Sequence, residues 1–269
     1  MKIYLLESTP MAKQLLVFSK RTRHMKDVSA WDKVLEMSEE ELDGELGYVF
    51  STIGSSWEFV SYTFLLCDVT RAFTHQLVRH RVGVAFAQQA QRVAVMEKFG
   101  YEATGSVLHD SDRKLVYDHT MTYIQQGYDA LIKMGANPQD ARGILPTNVH
   151  TNILFKINLR ALSDVCAVRL CIRAQGEFQK AVRGMQRLVL EEHPWAAPVL
   201  APHCIQHSQC KWPRYRECPI RQKHPELNPL PAEKIEEIRK DWKNVSGYDP
   251  QPKVTDWKPI SQEEEKDGE

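Results

Sequence analysis

Residues 70–93 read TRAFTHQLVRHRVGVAFAQQAQRV, and the way the chain enters and leaves this stretch decides its architecture. The residues just before it, EFVSYTFLLC at 58–67, are dense in β-branched and aromatic types and predict a strand. Asp68 or Thr70 can then accept from free backbone N–H groups and start a helix. That helix is expected to carry Arg71, Gln76 and Arg79 and to end near Gly83. Gln76 and Arg79, three apart, would share a helical face and reach one ligand together. Arg79, His80 and Arg81 set three cationic or protonatable side chains in a row, with Arg92 eleven residues past Arg81. Packing them together is costly unless an anion neutralises them, and a phosphate is the expected partner. A solvated basic turn is the competing reading.

Outward from this stretch, strands and helices alternate. KIYLL at 2–6 predicts a short strand, and Ser38 with Glu41 forms a capping-box pattern that makes 39–47 helical. VAVMEKF at 93–99 suggests another strand. From 111 onward, Tyr117, Met121, Ile124, Tyr128 and Leu131 recur in steps of four and three, between an Asp112 start and a Gly135 stop. This is a packing helix. Pro138 opens a short helical turn, PQDARG, that places Arg142 just before Leu145 and Pro146. VHTNILFKI at 149–157 reads as a strand. NLRALSDVCAVRL follows as a helix with Leu159, Leu162, Val165, Cys166 and Leu170 on its apolar face. AQGEFQKAVRGMQRLVLEEH continues as a long amphipathic helix that Pro194 stops. The fold class expected is α+β, a twisted, mostly antiparallel sheet flanked by helices.

Composition bounds the function. The chain has 269 residues, enough for a substantial core, with 35 Lys plus Arg against 35 Asp plus Glu. No global field therefore drives it onto nucleic acid or an anionic membrane, and any anion site must be local. An RNA-binding role is disfavoured on the same ground, since no basic stripe is interleaved with aromatics. MKIYLLESTP carries a four-residue apolar run, too short for a signal peptide, and no stretch has the length of a membrane span. A cytoplasmic protein is expected. One domain should cover 1–220, followed by a Pro- and charge-rich tail at 221–269.

A second block, LPTNVHTNILFKINLRALSDVCAVRLCIRAQGEFQ at 145–179, joins the first in a specific resemblance. TRAFTHQLVRHR followed by AQQAQR resembles the RHR signature of the flavin-dependent thymidylate synthases, and the second block resembles that family's LP…LR…AQ-x-E segment. The resemblance spans roughly residues 50–195 and implies a homotetramer with active sites between subunits. It also implies FAD, NADPH as reductant and 5,10-methylenetetrahydrofolate as carbon donor, with transfer to C5 of a pyrimidine deoxynucleotide monophosphate. Guanidinium groups suit such ligands because they donate two parallel bonds to phosphate and stay charged. By resemblance, Arg79, His80 and Arg81 contact FAD, with Ser55, Gln88, Asn158, Arg160 and Asp164 in the remaining flavin positions. The nucleotide positions carry over as Gln76, Arg79, Gln88, Ala90, Gln91, Arg92, Arg142 and Arg169. Arg92 and Arg142 would hold the phosphate. Arg169 would lie against the pyrimidine and act catalytically, stabilising negative charge that develops on the ring.

Several positions depart from the family pattern. Ala85 and Ala90 replace two serines, Val93 replaces a tyrosine, and one extra residue lies between Arg81 and Gln88. Ile53 and Phe59 stand where two histidines are common, and Gln139 where a glutamate is common. The family's chemistry runs through the flavin and needs no protein nucleophile, so these changes bear on which nucleotide fits. Deoxycytidylate is the natural competitor of dUMP, and a non-catalytic flavin- or nucleotide-binding protein is the alternative reading. Separately, HCIQHSQCKWPRYREC crowds Cys204, Cys210 and Cys218 beside His203 and His207, with a spacing that matches no common zinc knuckle. Four of these could make a zinc site; the competing reading, with no metal assigned, is free thiols and surface imidazoles in a loop. Cys67, Cys166 and Cys171 sit in apolar text and read as small buried hydrophobes.

Overall fold

The structure, a computed structural model, describes residues 1–210 and 218–223. They partition into two compact units, 1–89 with 150–210 and 90–149 with 218–223. The tail expected from residue 221 lies outside the described residues except for 221–223.

The first unit is built on one sheet, β1 (Lys2–Ser8), β2 (Ser61–Thr70), β3 (Val84–Gln88) and β4 (His150–Asn158). Its order is β1-β2-β4-β3, and every neighbouring pair is antiparallel. Helices α1 (Ala12–Arg21), α2 (Ser29–Leu35), α3 (Glu39–Thr52) and α4 (Arg71–Leu77) come from its first half. The predicted capping box is present, with Ser38 and Glu41 each bonding the other's backbone. β4 shows why the sheet has an inside. Thr151, Ile153, Phe155 and Ile157 are buried while Asn152, Leu154 and Lys156 are exposed, the alternation that a pleated strand imposes when one face is covered. Tyr62, Phe64 and Leu66 of β2 join the same core.

A break in that alternation positions the chemistry. The β2–β4 register shifts between Leu66 and Val69, and Asp68 takes a left-handed φ of 54°, which Asp tolerates better than most residues. Asn152 Oδ1 accepts from its N–H at 3.1 Å. The bulge turns both Val69 and Thr70 inward, so Thr70 starts α4 from a fully buried position, its Oγ1 accepting from the Phe73 N–H at 3.0 Å.

Three expectations about this region are corrected. The helix ends at Leu77, six residues before Gly83, because the chain tightens: Arg79 N–H donates to the Gln76 carbonyl and His80 N–H to that of Leu77. VAVMEKF is not a strand; Val84–Gln88 is, paired with Ile153–Ile157 at the sheet edge. Strand β2 also begins later than predicted, since Gly54–Phe59 form a 3₁₀ turn. Gly83 links α4 to β3 at φ 67°, and a Cβ there would lie 2.3 Å from Asn158 Nδ2, so the chain needs glycine at this point.

In the second unit, α5 (Ser111–Lys133) is capped by Asp110 and buries Met121 and Tyr128. Segment 93–99 lies along it as irregular chain whose backbone is met by side chains. Tyr128 Oη accepts from Met96 N–H at 3.2 Å and Gln125 Oε1 from Phe99 N–H at 2.9 Å. The apolar run thus found its partners on a helix instead of a neighbouring strand. α6 (Pro138–Ala141) follows, capped by Asn137.

Returning to the first unit, α7 (Leu159–Arg169) and α8 (Gly176–Glu192) pack on the sheet. Leu159, Leu162, Val165, Cys166 and Leu170 are buried as predicted. The helical text breaks between α7 and α8, where Gln179 Nε2 reaches back to the Leu170 and Cys171 carbonyls. A short α9 (His203–Gln206) and α10 (Pro219–Lys223) complete the order. No described helix is long and apolar enough to cross a membrane. Cys204, Cys210 and Cys218 are in no disulfide, and no group of three or more His, Cys, Asp or Glu suited to a metal occurs among the described residues. Residues 211–217 of that cluster lie outside them.

Candidate active site

On the first unit, α4, α7 and α8 bring one set of predicted residues together. Arg169, at the end of α7, lays its guanidinium over the Phe178 ring at 4.3 Å. Gln76 Oε1 accepts from Arg169 Nη1 at 3.5 Å, and Gln76 Nε2 donates to Gln175 Oε1 at 2.7 Å. Arg169 Nε is buried and has no hydrogen-bond partner. Burial pulls this arginine below its ordinary pKa, a direction that marks desolvation of the charged form.

His80 also packs against Phe178, ring centroids 5.9 Å apart and nearly perpendicular. Its Nε2 is likewise buried without a partner. Burial and then the Arg169 charge hold its pKa below that of a free imidazole, with Asp164 on α7 acting in the opposite sense. His80 is thus the neutral member of the RHR triplet, while Arg79 and Arg81 are exposed and form no ion pair among the described residues. Two cations facing solvent and one buried ring nitrogen is an arrangement that suits a polyanionic ligand.

The other flavin-assigned residues divide. Asn158 spends its Oδ1 capping α7, accepting from Ala161 N–H at 2.8 Å. Arg160 is paired with Glu58 at 2.7 Å, both half-exposed, and Ser55 lies exposed on the same turn as Glu58. Gln88 Nε2 donates to Thr74 Oγ1 at 3.0 Å and Thr151 Oγ1 at 3.4 Å, so its side chain is engaged with the sheet and α4.

On the second unit, Arg92 and Arg142 meet at one residue. Gln139 Oε1 accepts from Arg92 Nε at 3.1 Å, and the Gln139 carbonyl accepts from Arg142 Nε at 3.2 Å. Ala90 is exposed; Gln91 is buried, with no partner for its Nε2.

Sequence reasoning missed Phe178 and Gln175, and it singled out Gln139 only as a departure from the family pattern and not as the partner of Arg92 and Arg142. The first two stand in the AQGEFQ segment at 174–179, where Phe178 passes for one more residue of an apolar helix face. Concavity would not have found them. A cleft of about 720 Å³ on the first unit is lined by Lys13, Glu39, Asp43, Phe50 and Trp195 and contains none of the motif residues. Lys13 there is already bonded to Glu39 and Asp43.

Residues 4–195 match the sequence family described as thymidylate synthase complementing protein. The chain belongs to this family. Among its relatives in the family, the flavin-dependent thymidylate synthase of Pyrococcus furiosus is 31% identical over 218 residues, covering 77% of this chain and 81% of the relative. That of Clostridium tetani is 28% identical, covering 76% and 88%, and that of Sulfurisphaera tokodaii 30%, covering 72% and 75%. Both motif blocks, and with them Arg79–Arg81 and Arg169, fall inside the span of the family match.

One pH effect follows from the half-buried imidazoles. His193, its Nδ1 3.0 Å from the Tyr62 hydroxyl, is also held below the ordinary value, chiefly by burial, with Glu192 opposing. Burial pushes the Tyr62 phenol up, so it stays protonated. A histidine whose folded pKa is depressed binds fewer protons folded than unfolded. Its contribution to stability is therefore fully present above the unfolded pKa of about 6.5 and is lost as pH falls through the folded value. The thermal midpoint is expected to fall on acidification below that point, before carboxylates protonate. A melting series in pH should show a flatter slope in His193→Gln; an unchanged slope would refute the assignment.

Proposed function

We propose that this chain transfers a one-carbon unit from methylenetetrahydrofolate to C5 of a pyrimidine deoxynucleotide monophosphate, with FAD as cofactor and NADPH as reductant. The observation that carries the reading is Arg169, a half-buried guanidinium set over Phe178 and bonded to Gln76. A fixed cation beside a pyrimidine makes its carbonyl oxygens better electron sinks, without a covalent bond to the protein.

The residues present fit FAD. The buried, unpartnered Nε2 of His80 and the exposed guanidinium groups of Arg79 and Arg81 suit a pyrophosphate. When bound, the flavin supplies the redox chemistry of the transfer. Arg160 reaches such a ligand by exchanging Glu58, an inexpensive step for a half-exposed pair. Asp164, Asn158 and Gln88 set the surroundings: Asp164 tempers the field at His80, Asn158 holds the start of α7, and Gln88 ties β3 to α4. Arg92 and Arg142 are assigned to the phosphate of the nucleotide, and Gln91 and Ala90 to its surroundings. A homotetrameric assembly and a single domain over 1–220 belong to the same proposal.

dUMP is the first substrate to test and dCMP the second, because Ala85, Ala90 and Val93 remove hydroxyls that could discriminate between bases. The protein is incubated with FAD, NADPH, methylenetetrahydrofolate and either nucleotide, and the product mass is read. A methyl gain on dUMP supports thymidylate synthesis. Gain on dCMP alone, or an added hydroxymethyl, supports a redirected specificity. Bound flavin with no product from either nucleotide supports the binding-protein reading, and no flavin at all overturns the proposal.

A further inference from the structure

Another cleft of the first unit, of about 590 Å³, lies where the end of α1 and the chain at 22–33 meet α3, and none of the motif residues line it. Its lining holds five Lys or Arg side chains against Asp27 and Glu45. That is a local excess of three positive charges in a chain whose Lys and Arg only equal its Asp and Glu. Not all five are available. Lys20 and Arg21 share the Glu45 carboxylate, and Lys20 also lies over the Tyr48 ring at 4.5 Å. Asp27 is spent on Ser29, accepting from its N–H at 2.9 Å and from its hydroxyl. Arg23, Lys26 and Lys33 are exposed and form no ion pair among the described residues. Three unneutralised cations around a concave surface attract an anion whose charges are spread out.

We propose that this cleft holds the anionic γ-glutamyl tail of the folate carbon donor. The cleft then serves the far end of a substrate whose reacting end the site above takes, so this assignment rests on the folate-dependent reading. Such a tail carries its carboxylates one per residue along a flexible chain. Arg23, Lys26 and Lys33 match that pattern better than they match a single phosphate, which a convergent guanidinium fork would hold. A nucleic acid fits poorly. Tyr48 is the one Phe, Tyr or Trp among the described lining residues, and Lys20 already covers a face of its ring, so little is left on which a base could stack. The cleft is also near the flavin-assigned residues along the chain. From Tyr48 to the end of α3 at Thr52 is about 6 Å of helix. The turn that follows, Gly54–Phe59, carries Ser55 and the Glu58 that pairs with Arg160, and α1 packs against it. An extended glutamate residue reaches roughly 3.5 Å and a γ-linked one further, so a few of them span this distance.

The test compares methylenetetrahydrofolate carrying one and five glutamates, on the flavin-loaded full chain. Three proteins are used: wild type, a neutral variant (Arg23→Gln, Lys26→Gln and Lys33→Gln together) and a reversed variant (Arg23→Glu, Lys26→Glu and Lys33→Glu together). In wild type the pentaglutamate is expected to show a KM roughly tenfold lower, the scale of a few exposed ion pairs. Its kcat should match that of the monoglutamate, because the reacting end is the same. Added salt should erode the advantage. The neutral variant should lose most of it and the reversed variant all of it, while monoglutamate KM and kcat stay at wild-type values in both. Equal KM for the two folates in wild type, or an advantage that survives charge reversal, overturns the assignment and leaves the enzyme reading intact. If no nucleotide is turned over, that reading fails, and binding then decides this one. Pteroylpentaglutamate should raise the melting temperature of wild type more than pteroylmonoglutamate does, and the difference should vanish in the reversed variant. No difference in wild type overturns the folate-tail site. So does a larger shift with an eight-nucleotide oligothymidylate that the reversal abolishes.

Discussion

Arg169→Lys is expected to lower kcat by about two to three orders of magnitude, the usual loss when a fixed electrostatic donor is removed from a reacting centre. The substitution keeps the charge and removes the geometry. A lysine ammonium is a strongly hydrated point charge on a flexible stem, whereas Arg169 is a plane held at 4.3 Å over Phe178 and bonded to Gln76. The cation–π contact and the Gln76 bond both orient it before any ligand arrives, so little reorganisation is left for the reaction. Arg79, His80 and Arg81 are untouched by the change. Flavin should still copurify with an unaltered visible spectrum, and that control separates a lost activator from a lost fold. The measurement is steady-state turnover of dUMP, or of whichever nucleotide wild type accepts. A lysine variant that keeps most of kcat would show that a positive charge suffices and that the Phe178 platform is only packing.

The same platform marks the limit of what the residues reveal when read along the chain. Local signals were legible: the Ser38–Glu41 capping box, the Thr70 cap, the apolar faces of α5 and α7 and the alternation in β4 each depend on neighbours a few residues away. The RHR triplet and the later arginines could likewise be picked out as an anion-binding set. What could not be read is which member of the triplet faces inward. The tightened turn after Leu77 leaves Arg79 exposed and His80 half-buried, with its Nε2 out of solvent. Strand β3 was hidden for another reason. Val84, Ala85, Phe86, Ala87 and Gln88 pair only with β4 at a sheet edge, so small residues are tolerated and the strand pattern is weak. VAVMEKF carries the stronger β-forming text, yet its amides are satisfied by Tyr128 and Gln125. Tertiary partners decide in both cases.

Glu177→Ala is expected to cost about 3 kcal/mol of stability, because it orphans two buried donors together. Thr70 is fully buried and Glu177 is 3% exposed. One carboxylate oxygen accepts from the Thr70 N–H at 2.7 Å, the other from the Thr70 hydroxyl at 2.5 Å. The carboxylate lies at the start of α4 and in the first turn of α8, so both helix dipoles favour its negative charge. For a chain of this size the loss corresponds to a fall in melting temperature of roughly 10 °C. Glu177→Gln should lose only part of this, since its amide oxygen can accept from the N–H while the Thr70 hydroxyl rotates to accept from the amide nitrogen. The consequence reaches the site. Glu177 precedes Phe178, and the Thr70–Glu177 clamp works beside the Gln76–Gln175 bond to hold α4 against α8. Loosening the clamp should let the Arg169 platform shift relative to Gln76. At a temperature where Glu177→Gln remains folded, its kcat should therefore fall while flavin stays bound. A glutamine variant that melts early yet turns over at the wild-type rate would confine Glu177 to stability and leave the Gln76–Gln175 bond to align the site.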